Sequence, residues 1–203
     1  MGTRIRPHAL LALFASVAFL LLFVAAAPAS AHLVGVHGKG WRAGLEHPFS
    51  GIDHIVAMVA VGVWAAQIGR KAIWVMPTVF LLTMVGGALV SFAGFALPGV
   101  EDGVALSVAV LGVLLAVAAR PRPSTAALLV SCFGFFHGYS HGAQMPDSAT
   151  PILYGLGFIA ATALLQLLGI GLGLGAQSGV GRATMPIAAA VIVGIGITLV
   201  LTL

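Results

Sequence analysis

The chain has 203 residues, of which 60% are hydrophobic and 7% are charged, and its mean hydropathy is +1.13. Because about a quarter of the residues of an ordinary soluble domain are charged, this composition excludes that class and indicates an integral membrane protein. The formal net charge is +4. The basic residues lie at segment ends without forming a basic stripe, so nucleic acid is not an expected partner.

The N-terminus has the three regions of a secretory signal peptide. Arg4 and Arg6 form a positive region, residues 9–27 are apolar, and "ASA" at 29–31 fits a small-x-small cleavage site. We expect residues 1–31 to be removed, which leaves residues 32–203 as one mature domain. The alternative is a retained first membrane helix, because the apolar stretch is long for a signal peptide.

Six apolar segments follow, and each approaches or exceeds the ~17–25 residues that a membrane-spanning helix needs. Their breaks contain Pro, Gly or charged residues, and none of them alternates with the period of two that a transmembrane barrel strand requires. We therefore predict an all-α fold, a bundle of six transmembrane helices after the signal peptide. The predicted segments are 50–68, 73–96, 103–119, 124–142, 150–175 and 184–202.

Charged residues in the connections predict the orientation. The first, third and fifth connections carry basic residues, whereas the second and fourth carry only acidic ones. By the positive-inside rule, the odd connections lie in the cytoplasm of a bacterium and the mature N-terminus lies outside its cytoplasmic membrane. The residues are Arg70, Lys71, Arg120, Arg122 and Arg182 against Glu101, Asp102 and Asp147.

Polar residues open the first segment in the stretch "HPFSGIDH". Pro48 is typical of a first helical turn, which predicts that the helix begins there with His47 at its cap. His47 and His54 would then lie nearly two turns apart on one face, about 10 Å along the axis. Placing the charged side chain of Asp53 at membrane depth costs ~2.5–3.5 kcal/mol of free energy. A charged residue at such a position is therefore functional by default.

A second polar cluster lies near the end of the fourth segment. His137 and His141 are spaced i, i+4 and therefore stack on one face of a helix. Gly134, Gly138 and Gly142 form a small-xxx-small stripe on an adjoining face, which allows another helix to approach closely. We expect this close packing to bring the two polar clusters together near the outer surface.

Together the clusters predict a metal site, because several imidazoles and a carboxylate suit a borderline divalent transition metal. The expected ligands are His47, Asp53, His54, His137 and His141. Met58, one turn beyond His54, offers a thioether, although packing is the favoured interpretation for it. The alternatives for the whole set are a proton pathway and purely structural hydrogen bonding.

The same motifs carry a family resemblance. "HPFSGIDH" in the first segment and "FHGYSHG" in the fourth resemble the HupE/UreJ family of nickel permeases. The similarity extends over nearly the whole mature chain and includes "LPGVEDGVALSVAVLG" and "YGLGFIAATALL". The resemblance implies a six-helix permease domain that takes up Ni²⁺ for delivery to hydrogenase or urease. It also implies that the five motif residues are essential to transport. Neighbouring metals such as Co²⁺ share the same ligands.

One position departs from the family pattern. Family members usually follow the second motif with an acidic residue, where this chain has Gln144. A carboxamide is a weak oxygen ligand and brings no negative charge. Either the acid is dispensable, or Glu101 or Asp147 in the outer connections compensates for it.

The expected route of the ion begins at the outer mouth. His32 at the mature N-terminus and the nearby His37 would capture the ion and pass it to His47 and then to the main cluster. Asp53 would offset the dehydration of a dication or hold a histidine in its ligating tautomer. The chain has no nucleotide-binding motif, so we expect neither ATP hydrolysis, nor enzymatic activity, nor a permanent cofactor.

Two other functions remain open on the sequence. One is a membrane haem protein for electron transfer, with histidines of facing helices as axial ligands. The other is an accessory protein that binds metal without moving it. Accumulation of radioactive nickel in cells with and without the protein discriminates between these alternatives and a permease.

Overall fold

The structure is a computed structural model that describes residues 40–146, 149–177 and 179–203, with the side chains of 179–183 left aside. Four of the sequence predictions concern residues outside these ranges: the signal peptide, His32, His37 and Asp147. The described part of the chain is helical and contains no strand, which confirms the all-α class.

Seven α-helices and one short 3-10 helix make up this part of the chain. The elements are α1 (Trp41–Glu46), the 3-10 helix (His47–Phe49), α2 (Ile52–Ile68), α3 (Ala72–Phe92), α4 (Val100–Ala116), α5 (Pro123–Ala143), α6 (Pro151–Gly175) and α7 (Gly179–Thr202). Each predicted segment contains one long helix. The third begins three residues early, so that Glu101 and Asp102 lie in the first turn of α4. Carboxylates are favourable there because the N-terminal end of a helix is the positive end of its dipole.

By length and hydropathy, three of the described helices can cross a membrane: α3, α6 and the part of α7 from Thr184. Residues 41–49 and α2 qualify together as a fourth, broken span with a bend of 84°. Helix α4 has 17 residues, so it is shorter than the ~20 that a span usually needs. The prediction of six spans therefore remains a prediction, whereas the apolar helices fit the membrane class.

The predicted start of the first long helix is wrong. Pro48 lies at the start of the 3-10 helix, and α2 begins only at Ile52, after Gly51 in an extended conformation. His47 and His54 therefore belong to two elements joined at a sharp bend, and they do not share the face of one helix. The bend leaves the centres of the two rings 6.4 Å apart.

The most extensive helix contacts join α3 to α5, α2 to α6 and α4 to α7. Glycines lie at the points of closest approach in these pairs. A Cβ atom added to Gly138 of α5 would collide with the backbone carbonyl of Met84 in α3. One added to Gly62 of α2 would collide with the carbonyl of Gln166 in α6. These helices therefore pack with their backbones in direct contact, as small residues allow in membranes.

The glycine stripe of the fourth segment makes the predicted close contact, but with a different helix from the one that carries Asp53 and His54. Gly134, Gly138 and Gly142 all face α3. The stripe thus fixes the position of α5, while the first cluster reaches it from another side. Helix α1 packs tightly on the start of α6, where a Cβ atom at Gly44 would collide with the carbonyl of Tyr154.

Candidate metal centre

Three histidines from three elements meet in the interior. His47 belongs to the 3-10 helix, His54 to the first turn of α2 and His141 to the last turn of α5. Each offers a ring nitrogen, and these nitrogens lie within 4.8 Å of one another. All three side chains are buried. We refer to this trio as the histidine triad.

The rings of the triad are packed against each other. The ring centre of His141 lies 4.1 Å from that of His54 and 4.8 Å from that of His47. Two imidazole nitrogens bound to one ion at about 2.0–2.1 Å lie roughly 3–3.5 Å apart. The candidate ligand nitrogens of the triad, all within 4.8 Å of one another, are already close to that separation.

His137 lies beside the triad with its tautomer set by the backbone. Its Nδ1 is 2.9 Å from the carbonyl oxygen of Phe133. Since a carbonyl only accepts hydrogen bonds, Nδ1 carries the proton and Nε2 keeps a free lone pair. That Nε2 is buried without a hydrogen-bond partner. The ring centre is 5.6 Å from that of His54, so a fourth imidazole faces the same space.

Asp53 supplies the negative charge of the site. Its Oδ2 lies 3.2 Å from Nδ1 of His54, and its side chain is 21% exposed. The contact is electrostatic, since the same Nδ1 has no partner in hydrogen-bond geometry. A carboxylate in this place stabilises a cation bound by His54 and biases the orientation of its ring.

The ring nitrogens have few partners for such a buried site. Both nitrogens of His47, both of His141 and Nδ1 of His54 are buried and make no hydrogen bond. Each unsatisfied buried polar group costs about 1–3 kcal/mol. This cost argues against a structural hydrogen-bonding role and fits nitrogens that coordinate an ion.

Aromatic side chains enclose the site. The ring centre of Phe158 lies 4.1 Å from that of His141, and the ring centre of Tyr154 lies 5.7 Å from that of His47. Phe80 packs against His137 on the opposite side. These walls make the surroundings of the triad largely apolar, and a low local dielectric strengthens the attraction between a cation and Asp53. The sequence analysis missed Tyr154 and Phe158, although their i, i+4 spacing in "YGLGF" indicates one helix face.

Met58 and Glu101 do not belong to the triad, whereas Gln144 lies beside His47. Met58 is fully buried in the hydrophobic core, in line with the packing interpretation. Glu101 is exposed in the first turn of α4 and does not belong to the group of ligands. Gln144 is exposed just after α5, and its Nε2 donates to Oγ of Ser140 at 3.1 Å.

Comparison with known proteins identifies a family that covers both histidine clusters. The family model described as HupE / UreJ protein matches residues 20–199, which include both histidine clusters. The chain belongs to the HupE/UreJ family. Protein HupE of Rhizobium leguminosarum bv. viciae is 47% identical over 146 residues, which cover 71% of this chain and 76% of that protein. No solved structure matches the chain.

Membership in this family confirms the resemblance seen in the two histidine motifs. The family comprises hydrogenase and urease accessory proteins, so the chain is related to nickel handling and its apolar helices fit a membrane protein.

Proposed function

We propose that this protein is a permease that takes up a divalent transition metal, Ni²⁺ first, across the bacterial cytoplasmic membrane. The observation that carries the proposal is the convergence of four buried imidazoles beside Asp53, with most of their nitrogens lacking hydrogen-bond partners. Imidazole nitrogen suits borderline ions such as Ni²⁺ and Co²⁺. In the HupE/UreJ family, the ion would be delivered for the maturation of hydrogenase or urease.

The charge distribution supports an outward-facing site. The triad, Glu101 and Asp102 lie at one end of the bundle, whereas Arg70, Lys71 and Arg120 follow the opposite ends of the helices. Arg42 at the histidine end is paired with Glu46 at 2.7 Å. With α2–α7 as six spans, the positive-inside rule places the triad near the outer surface.

The test is accumulation of radioactive ⁶³Ni²⁺ in a strain without its own nickel uptake. We expect accumulation with the wild-type chain and a loss of about 10–100-fold for Asp53→Asn, because a carboxylate next to a metal ligand typically contributes that much. Asp102→Asn removes a matched but exposed carboxylate from α4 and should transport normally.

The alternative functions are distinguished by combining this uptake assay with nickel binding and the absorption spectrum of the purified protein. Nickel binding by the purified protein without accumulation in cells would identify a non-transporting accessory protein. A Soret band would identify a haem protein. Normal accumulation by Asp53→Asn would contradict the proposed role of the triad and its neighbouring carboxylate.

A further inference from the structure

A second polar group is buried deep in the bundle without partners. Gln166 of α6 is 1% exposed, and neither its Nε2 nor its Oε1 makes a hydrogen bond. The amide can make up to four hydrogen bonds, and burying it unpaired costs about 1–3 kcal/mol for each unsatisfied group.

Gln166 lies between the histidine triad and the opposite end of the bundle. Phe158, whose ring touches His141, precedes it on α6 by eight residues, or about 12 Å along the helix. Gly173 follows it by seven residues, or about 10 Å, and lines a cavity at the other end. The amide is therefore roughly halfway along the helix between these two places.

Two soft or polar atoms occupy the interval between the triad and Gln166. The hydroxyl of Thr162, one turn before Gln166, points at Sδ of Met84 at 3.9 Å, and both side chains are buried. Met84 also contacts Gly138, which lies between the two histidines of α5. The Thr162 hydroxyl therefore lies between the levels of Phe158 and Gln166 on α6, with the Met84 sulfur beside it.

The cavity beyond Gln166 has a mixed lining, in which a few polar side chains lie among apolar ones. It has a volume of ≈ 330 Å³, and Gln67, Arg120 and Gln177 are among its lining residues. The Oε1 of Gln67 is buried without a hydrogen-bond partner. The cavity lies where α2, α4 and α6 end and α7 begins, which is the end that carries the basic connections.

We propose that Gln166 forms a second binding site on the translocation route, where its Oε1 coordinates the divalent cation between the triad and the inner cavity. This inference rests on the proposed transport function and adds a residue to it. Carrier sites commonly lie near the membrane midplane. A neutral amide suits such a site because conduction requires binding that is weak enough for the ion to leave.

The test separates binding at the triad from passage through the membrane. We expect Gln166→Leu to bind Ni²⁺ at the triad with wild-type affinity in equilibrium dialysis, while ⁶³Ni²⁺ accumulation falls about 10–100-fold, the usual effect of losing a metal-site partner. Gln166→Glu should bind a second ion more tightly and also transport slowly. Ser107→Ala removes a buried hydroxyl that is already bonded to the Val104 carbonyl and should keep both properties.

A thiol probe keeps the proposal testable if Gln166→Leu does not fold. In a Cys132→Ala background, Gln166→Cys should react with a small methanethiosulfonate reagent added from the inner side, and Ni²⁺ should protect it. Reaction without protection would overturn the inference.

The two proposals fail in different ways. Wild-type accumulation by Gln166→Leu would overturn this inference alone and would assign the amide a structural role. Absence of accumulation by the wild-type chain would overturn the proposed function and the inference with it.

Discussion

At the residue scale, burial determines which nitrogens of the site can bind a cation. The carbonyl of Phe133 accepts a hydrogen bond from Nδ1–H of His137, which leaves the lone pair of the buried Nε2 free. Five of the six ring nitrogens of the triad are buried without a hydrogen-bond partner. A bound cation would satisfy these nitrogens with coordinate bonds. The negative charge of Asp53 would offset part of the free energy of dehydrating the ion.

Gln144 gives a prediction on charge. It follows His141 by three residues, where the family pattern has an acid, and its amide reaches Ser140 on the same helix. Gln144→Glu should lower the Kd for Ni²⁺ several-fold, because it adds a negative charge close to the triad (about 1 kcal/mol at 4 Å in water, and more near protein). The measurement is equilibrium dialysis of the purified protein in detergent.

Gln144→Leu is the control for this prediction, since it removes the amide without adding charge. Its Kd should stay near that of the wild-type chain if the amide is only a weak ligand. An unchanged Kd for Gln144→Glu would show that the position does not sense the ion and that the family acid is dispensable here.

The residue types of the site were predictable, but the geometry was only partly so. The two motifs predicted the histidines that the structure brings together. The helical spacing assumed between His47 and His54 was wrong because Gly51 is extended and interrupts the helix. Residue spacing predicts a shared face only when both residues lie in the same helix. The direction of the bend at Gly51 cannot be predicted from the glycine itself. The contribution of α6 was missed because aromatic residues at helical spacing usually indicate ordinary core packing.

At the element scale, the backbone contact between α3 and α5 positions the histidines of α5. Gly138 lies between His137 and His141, and its Cα side touches the backbone of Met84. The sequence predicted this close contact from the glycine stripe. It could not predict the partner helix, because a stripe of small residues can pack against many helices and no matching sequence pattern marks the partner.

Gly138→Ala is the corresponding prediction. The added Cβ atom would collide with the Met84 carbonyl, so the helices must separate and the melting temperature should fall, together with Ni²⁺ binding. Gly155→Ala in α6 is the matched control, because its Cβ atom would meet nothing within 4 Å. An alanine there should stabilise the helix by roughly 0.5–1 kcal/mol.

Thermal denaturation followed by size-exclusion chromatography measures both variants. Opposite shifts of the melting temperature are expected from the same chemical change. Equal shifts would mean that the α3–α5 contact is looser than the structure indicates.

At the scale of the whole molecule, the three most extensive helix contacts follow a two-fold pattern. Exchange of α2 with α5, α3 with α6 and α4 with α7 converts the α2–α6 contact into the α5–α3 contact and leaves the α4–α7 contact unchanged. Two three-helix halves of inverted topology, as in many carriers, would produce this pattern. In such an arrangement the triad and Gln166 would lie at the interface between the halves, where carriers commonly have their substrate sites.

The orientation of the molecule in the membrane determines whether the histidine end faces the outside or the cytoplasm. Asp102 lies at the end of the bundle that carries the triad, and Lys71 lies at the opposite end; both residues are exposed. The basic connections predict that the end with Lys71 is cytoplasmic. In a Cys132→Ala background, a membrane-impermeant maleimide should label Asp102→Cys in intact spheroplasts. It should label Lys71→Cys only after permeabilisation. The reverse pattern would place the histidines in the cytoplasm, and the same site would then serve export or storage of the ion in place of uptake.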